Sequence, residues 1–258
     1  DSEVAYGNGV AVWGTLDASA FSRTFSEISK GDDGFKVVSY RQIDERSFND
    51  IFVNAIAEGN SPDLILLPSS ELVRHRSKLL ALSYETIPLR NFRDAYIDGS
   101  EIFALVDGVY AIPLAVDPLI MYWNRDMFSS NGIAQAPATW ETVVSTVAPS
   151  LTKRDNNRTI LQSAVALGEV SNVKNAKGML LSLVLQSGGN MIYEDTGRYI
   201  VELNRTATGS GLPPLESSAK FFTNFSNASN QLYSWNRSQP LDRNAFVAGD
   251  LGMYFGFG

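Results

Sequence analysis

The first 80 residues alternate short apolar runs with segments in which apolar side chains recur at helical spacing, and this order is the strongest constraint on the fold. The apolar runs cover residues 10–13, 35–40 and 64–67, and the helical segments cover residues 21–28, 48–56 and 72–80. This alternation predicts an α/β fold, because neighbouring parallel strands need a crossover, usually a helix, between them. We therefore expect a mostly parallel sheet with helices on both faces and right-handed crossovers.

A second α/β segment is predicted after a stretch that two prolines bracket. Pro113 and Pro118 restrict the backbone direction at both ends of this stretch without making it a flexible linker. We predict a hinge strand near residues 113–119, between an N-terminal lobe of residues 1–114 and a C-terminal lobe of residues 115–258. The second lobe is predicted to contain a strand at residues 119–123, a helix capped by Thr139, further helices at residues 176–184 and 215–222, and a loop at residues 204–214.

The composition excludes several classes of site. The chain has 258 residues, no cysteine and one histidine, so disulfides, thiol nucleophiles, iron–sulfur ligation and histidine-rich metal sites are ruled out. A formal net charge of -7 repels phosphate backbones, and no local basic patch offsets it. The glycine-rich loops at residues 7–9 and 187–190 match no nucleotide-binding motif. We expect no metal, no cofactor and no nucleic-acid partner.

The single histidine, His75, lies between Arg74 and Arg76. An imidazole titrates near neutral pH and could act as a base, but a catalytic base must be oriented together with a nucleophile, and no nucleophile-elbow motif accompanies it. We predict that His75 is a partly exposed helix residue and that the chain has no catalytic residue.

Three carboxylates occupy the ends of predicted elements. Asp63 is expected to be a turn residue at the start of a strand, and Glu141 fits the first turn of a helix, where the helix dipole favours a negative charge. Asp117 lies in the predicted hinge and could face a cleft. An alternative function is therefore a carbohydrate-active hydrolase that uses Asp117 with a second carboxylate, and a scaffold without ligand is a third possibility.

Aromatic side chains are the other candidates for binding. Trp13, Tyr254 and Phe255 are predicted to be core residues. Trp235 lies in the polar segment of residues 233–236, where an aromatic face could stack against a sugar ring while neighbouring polar groups bond the hydroxyls.

Five short motifs occur in a fixed order along the chain. They are GNSPDLI at residues 59–65, YAIP at 110–113, MYWNRDMF at 121–128, PATWE at 137–141 and FVAGDLGM at 246–253. Together they resemble the signature of bacterial extracellular solute-binding proteins of the maltose-binding-protein type. Members of that family continue well past the last motif, so the resemblance implies that this chain is truncated at its C-terminus.

The resemblance implies a two-lobe periplasmic-binding-protein type II fold of the α/β class. Its function would be to capture a small solute, expected to be a carbohydrate, between the lobes and to deliver it to the permease of an ABC transporter. The protein would be a monomer outside the cytoplasm, attached through a segment that this sequence does not include. Transferred by motif position, the ligand contacts would be Gly14, Thr15, Ser69, Ser70, Asp117, Asn190, Trp235 and Phe257.

The loop after the third predicted strand departs from the family pattern. Residues 67–70 read Leu-Pro-Ser-Ser where sugar-stacking tryptophans would be expected, which argues against a maltodextrin ligand. Another sugar is the expected class, and a polyol, a peptide or another metabolite stays open.

Overall fold

The computed structural model describes residues 9–189, 191–203 and 211–258. The chain divides into two compact units, Asp1–Ala115 and Val116–Gly258, called the first and second unit below. No helix among the described residues is long and apolar enough to cross a membrane.

The first unit is built on a three-stranded parallel sheet in the order β2-β1-β3. Its strands are β1 (Val10–Gly14), β2 (Val38–Gln42) and β3 (Leu64–Leu66). Its helices are α1 (Ala18–Ile28), α2 (Phe48–Ala57), the single turn α3 (Leu72–His75) and α4 (Leu89–Ala95). A short hairpin, β4 (Ala104–Leu105) and β5 (Gly108–Val109), follows.

Apolar side chains cover both faces of this sheet. On one face, Phe48 and Phe52 of α2 pack with Ile43, Trp13 and Ile65. On the other face, the ring of Phe21 in α1 stacks on Tyr40 of β2 with ring centroids 4.1 Å apart. The predicted parallel sheet with helices on both faces is confirmed.

Two elements of the first unit differ from the prediction. The second strand begins at Val38 rather than Phe35, because the side chain of Asp32 accepts a hydrogen bond from the Gly34 amide and starts a 3₁₀ helix. The helix predicted over residues 72–80 is reduced to α3 and a 3₁₀ turn, Arg76–Lys78. Leu80 is 86% exposed, so the apolar spacing there does not build a buried helix face.

The second unit has a four-stranded mixed sheet in the order β6-β11-β8-β7. The strands are β6 (Ile120–Trp123), β7 (Lys153–Arg154), β8 (Ile160–Val165) and β11 (Leu251–Gly256), with a separate hairpin of β9 (Ile192–Asp195) and β10 (Arg198–Val201). Strand β11 lies parallel to β8 and antiparallel to β6.

Helices share one hydrophobic core with the strands of this second sheet. They are α5 (Arg125–Ser130), α6 (Trp140–Thr142), α7 (Ala148–Leu151), α8 (Ala176–Gln186), α9 (Pro214–Asn224) and α10 (Asp242–Ala248). A π-helical turn, Val143–Val147, joins α6 to α7. As predicted, the Thr139 hydroxyl caps α6 by accepting a hydrogen bond from the Thr142 amide at 3.2 Å.

The stretch predicted as a hinge strand forms no strand. Residues 110–119 have no regular structure, and the next strand begins at Ile120. Pro113 and Pro118 lack the backbone N–H that a strand ladder requires, which accounts for the difference.

Candidate functional site

The three parallel strands of the first unit all end at one edge of their sheet, at Gly14, Gln42 and Leu66. Open α/β sheets bind ligands at the carboxyl ends of their strands. Four of the predicted contacts lie in or directly after these strand ends, namely Gly14, Thr15, Ser69 and Ser70. This edge is the part of the first unit where the predicted contacts are brought together.

The turn after β1 is held by side chains of β2. The Tyr40 hydroxyl donates to the Leu16 carbonyl at 2.9 Å, and the Gln42 side-chain oxygen accepts from the Ala18 amide at 3.0 Å. Asp17 caps α1 by accepting from the Ser19 and Ala20 amides at 2.8 and 3.1 Å. Hydrogen bonds from the Ser19 hydroxyl and these two amides lower the pKa of Asp17. The turn that carries Thr15 is therefore fixed before any ligand arrives.

Tyr40 and Gln42 were not found by sequence reasoning. Tyr40 is the last residue of the second predicted strand, and Gln42 lies two residues beyond it, because the observed strand runs from Val38 to Gln42 rather than over residues 35–40. Partial burial raises the pKa of the Tyr40 hydroxyl, so this group remains a hydrogen-bond donor at neutral pH.

Gly14 is required by close packing at the strand ends. A Cβ atom there would lie 2.9 Å from the Leu66 Cβ and 2.9 Å from the Tyr40 hydroxyl. Gly14 is buried, and its carbonyl accepts a hydrogen bond from the Ile43 amide at 2.8 Å.

Ser69 and Ser70 begin the 3₁₀ turn Ser69–Glu71 that follows β3. Both residues are exposed, and among the described residues neither hydroxyl has a hydrogen-bond partner. A serine hydroxyl can donate one hydrogen bond and accept two, so this turn presents unused polar groups at the sheet edge.

The environment of His75 contradicts the prediction of a partly exposed helix residue. The side chain is 1% exposed, and its ring meets the rings of Phe48 and Phe52 edge-on, with centroids 6.2 and 5.5 Å away. Burial lowers the pKa of His75 below 6.5. The prediction failed because the short helix packs against α2, a contact that local spacing cannot reveal.

In the second unit, Asp117 and Phe257 lie together at the end of β11. One Asp117 carboxylate oxygen accepts a hydrogen bond from the Gly258 amide at 2.8 Å. The Tyr122 hydroxyl donates to the Phe257 carbonyl at 3.4 Å. Asp117 is exposed and the Phe257 side chain is 49% exposed, so both remain accessible to a ligand within this unit.

Trp235 requires a correction, because its ring has no free face. The residue is 0% exposed and belongs to the same core cluster as Phe222 and Phe225. Its indole N–H donates to the side-chain oxygen of Asn172 at 3.0 Å. The polar residues around Trp235 suggested a surface loop. They instead point inward, where they form hydrogen bonds with backbone and side-chain groups. Trp235 is a core residue here and not a stacking platform.

The other aromatic expectations agree with the structure. Trp13 packs against the core of the first unit, with the Arg41 guanidinium 4.7 Å from its ring centroid. Tyr254 and Phe255 pack against the core of the second unit. The half-buried Trp140, which sequence reasoning did not single out as a site residue, stacks on Phe255.

The last candidates to place are Asn190, Asp63 and any metal-binding group. Asn190 lies outside the described residues. Asp63 accepts a hydrogen bond from the Ala11 amide at 2.8 Å, in agreement with its predicted role at the start of a strand. Within the described part of the chain, no group of three or more His, Asp or Glu side chains could hold a metal ion.

Comparison with known proteins shows which protein family the chain matches. The family model described as "Bacterial extracellular solute-binding protein" matches residues 26–258. No curated protein matches the chain.

Solved structures share the fold at low sequence identity. The sugar-binding protein MalE of Xanthomonas citri is 18% identical with a TM-score of 0.70, and the match covers 96% of this chain and 60% of that one. A cyclo/maltodextrin-binding protein complexed with maltotetraose is 13% identical with a TM-score of 0.67, covering 99% and 61%. A solute-binding protein of Thermotoga lettingae bound with α-D-tagatose is 17% identical with a TM-score of 0.58, covering 97% and 62%. The α/β fold is thus shared, and the chain spans about 60% of the length of these proteins.

Proposed function

The chain belongs to the family of bacterial extracellular solute-binding proteins, and on that basis we propose that it captures a small carbohydrate for delivery to an ABC transporter. The observation that carries the proposal is the family match over residues 26–258. Proteins of this family bind solutes for transport, so the proposal includes no catalytic step.

The carboxyl edge of the first unit supports this proposal. The free hydroxyls of Ser69 and Ser70 and the fixed turn at Thr15 supply hydrogen-bonding groups of the kind that sugar hydroxyls need. We propose Gly14, Thr15, Ser69 and Ser70 as contacts from this unit. Gly14 would act mainly by letting the strand ends pack closely.

The second unit would add its own contacts at the end of β11. Asp117 offers a carboxylate that can accept from sugar hydroxyls, and the exposed ring of Phe257 offers an apolar face. Asn190 stays a prediction. Hinge bending near residues 113–119 would let the solute favour a closed form through its differential affinity for that form.

A carbohydrate is the proposed ligand class because several neighbours are described with sugars. The solved structures include proteins complexed with maltotetraose, α-D-tagatose and mannotriose. The loop of residues 67–70 carries no tryptophan, so we propose a sugar other than a maltodextrin. The transporter partner, the monomeric state, the extracytoplasmic location and an anchor belong to the same proposal.

The proposal is tested by a thermal-shift screen with mannotriose and D-tagatose, and maltotetraose, a maltodextrin, is the sugar that we expect to give no shift. A ligand at one hundred times its Kd stabilises the folded state by about 2.7 kcal/mol, which a melting curve resolves. Chromatography of the incubated sugars should show no new product. A flat screen across a wider sugar panel, or turnover of a glycoside, would refute the proposal.

A double variant locates the site. Ser69→Ala with Ser70→Ala removes two hydroxyl contacts of about 0.5–1.5 kcal/mol each. We expect binding by isothermal titration calorimetry to weaken about 5- to 150-fold. Ser22→Ala, at an exposed position of α1, is the matched control and should leave binding unchanged.

A further inference from the structure

His75 is the only histidine of the chain, and it is buried without a full set of hydrogen bonds. Among the described residues, its Nδ1 atom has no partner. Its Nε2 atom lies 3.8 Å from a carboxylate oxygen of Glu71, beyond hydrogen-bond distance. Most buried polar groups in proteins are paired, so an unpaired imidazole nitrogen needs an explanation.

The surroundings of the ring favour the neutral imidazole. From α2, the rings of Phe48 and Phe52 face it and offer no charge. The charged groups that act on it belong to its own segment: Lys78 and Arg74 oppose a proton, and Glu71 favours one. Burial is the largest of these effects and lowers the pKa of His75. A protonated ring is therefore stable only if it moves toward water.

The segment that holds His75 also carries the two free serine hydroxyls. The turn Ser69–Glu71 leads directly into α3, and the Leu72 amide donates to the Ser69 carbonyl. Glu71 lies between the two sites: its amide donates to the Pro68 carbonyl at 3.0 Å, and its carboxylate pairs with Arg74 at 3.1 Å. Because α3 is a single turn, few hydrogen bonds oppose local opening of this segment.

We propose that His75 is a positioning residue for the Ser69–Ser70 turn, so that the neutral ring holds the turn against α2 and protonation releases it. Solute binding would then weaken in acid, a consequence that rests on the function proposed above. His75 itself does not contact the solute.

The direction of the pH dependence follows from linkage. In the folded segment, the pKa of His75 lies below the ordinary value of 6.5. When the segment opens locally, the ring reaches water and its pKa returns to about 6.5, so the open segment binds more protons at pH values between these two pKa values. The folded form of this segment is favoured fully above pH 6.5. Between pH 6.5 and the lower pKa of His75 in the folded state, its equilibrium constant over the open form falls by up to about tenfold per pH unit.

The first test needs neither a ligand nor a variant. NMR of the 258-residue chain contains one histidine side-chain signal, because there is one histidine. We expect it to titrate below pH 6.5, and we expect amide protection factors at residues 71–76 to fall between pH 7 and pH 5. A histidine signal that titrates at or above 6.5, or unchanged protection factors, would overturn the proposal.

Two variants separate positioning from general structure. His75→Phe extends the aromatic cluster without a titratable group and should keep binding at pH 7 while removing its loss at pH 5. Glu71→Gln removes the group that favours protonation and should move the midpoint of the protection change to lower pH. This second variant and the NMR titration keep the test decisive if the first variant does not fold.

Binding of mannotriose and D-tagatose, measured at pH 7 and pH 5, completes the experiment. Absence of binding at both values would count against the proposed function, while the protection factors would still decide the role of His75. Binding that weakens equally in wild type and His75→Phe between pH 7 and pH 5 would refute the positioning role alone.

Discussion

The substitution Trp235→Phe distinguishes a core tryptophan from one that stacks on a ligand. In the structure, Trp235 is fully buried and its N–H bonds the side-chain oxygen of Asn172 at 3.0 Å. The amide group of Asn172 in turn donates to the carbonyls of Asn236 and Gln239, both at 2.9 Å. The variant therefore removes a donor from a buried network in the second unit.

The expected loss of stability has two parts. The smaller phenyl ring leaves unfilled volume, which costs about 1–2 kcal/mol, less than the full truncation of a buried tryptophan. The Asn172 oxygen loses its donor in a buried position, which costs about 1–3 kcal/mol. We expect the free energy of unfolding of the second unit to fall by about 2–5 kcal/mol.

Urea unfolding followed by far-UV circular dichroism measures this change without depending on tryptophan fluorescence. Trp140→Phe is the matched control, because the Trp140 indole N–H bonds the exposed Gln186 side chain at 2.8 Å. Water can replace that partner, so the control should lose only about 1 kcal/mol. Equal losses in both variants, or reduced sugar affinity of folded Trp235→Phe, would refute the reasoning.

Three further changes test close packing and burial. Gly14→Ala should destabilise the first unit by about 1–3 kcal/mol in urea, since the new Cβ meets Leu66 and Tyr40 at 2.9 Å. Gly252→Ala should lower the free energy of unfolding of the second unit by a similar amount, because its Cβ would lie 2.9 Å from the Leu151 side chain. A glycine variant whose free energy of unfolding is unchanged would contradict the corresponding prediction. Burial raises the pKa of Asp242 above its usual 3.8. The folding equilibrium constant measured in urea should therefore fall as pH rises above 3.8, by at most about tenfold per pH unit until the raised pKa is passed. Asp242→Asn should remove this part of the pH dependence.

Much of the local structure could be predicted because it depends on neighbours along the chain. The strand at residues 10–13, the helix at residues 48–56 and the Thr139 cap follow from apolar spacing and capping chemistry. The family motifs then identified the solute-binding family, which residues 26–258 match.

The candidate site could be predicted only in part, because its supporting contacts join residues that are far apart along the chain. The ends of predicted strands are visible in a sequence, but the resemblance of the motifs to the family is what implied Gly14, Ser69 and Ser70 as ligand contacts. The supporting groups Tyr40 and Gln42 act through contacts with residues about 24 positions away along the chain, which spacing does not encode.

The sequence by itself determined the α/β class, the order of most elements and the family, because these depend on periodicity and on short ordered motifs. Only the tertiary structure decided which polar and aromatic side chains are buried. His75 and Trp235 occupy segments that look exposed locally, yet α2 covers one and the core of the second unit surrounds the other. Burial is set by what packs against a residue from elsewhere in the chain, and it therefore emerges only when the chain is folded.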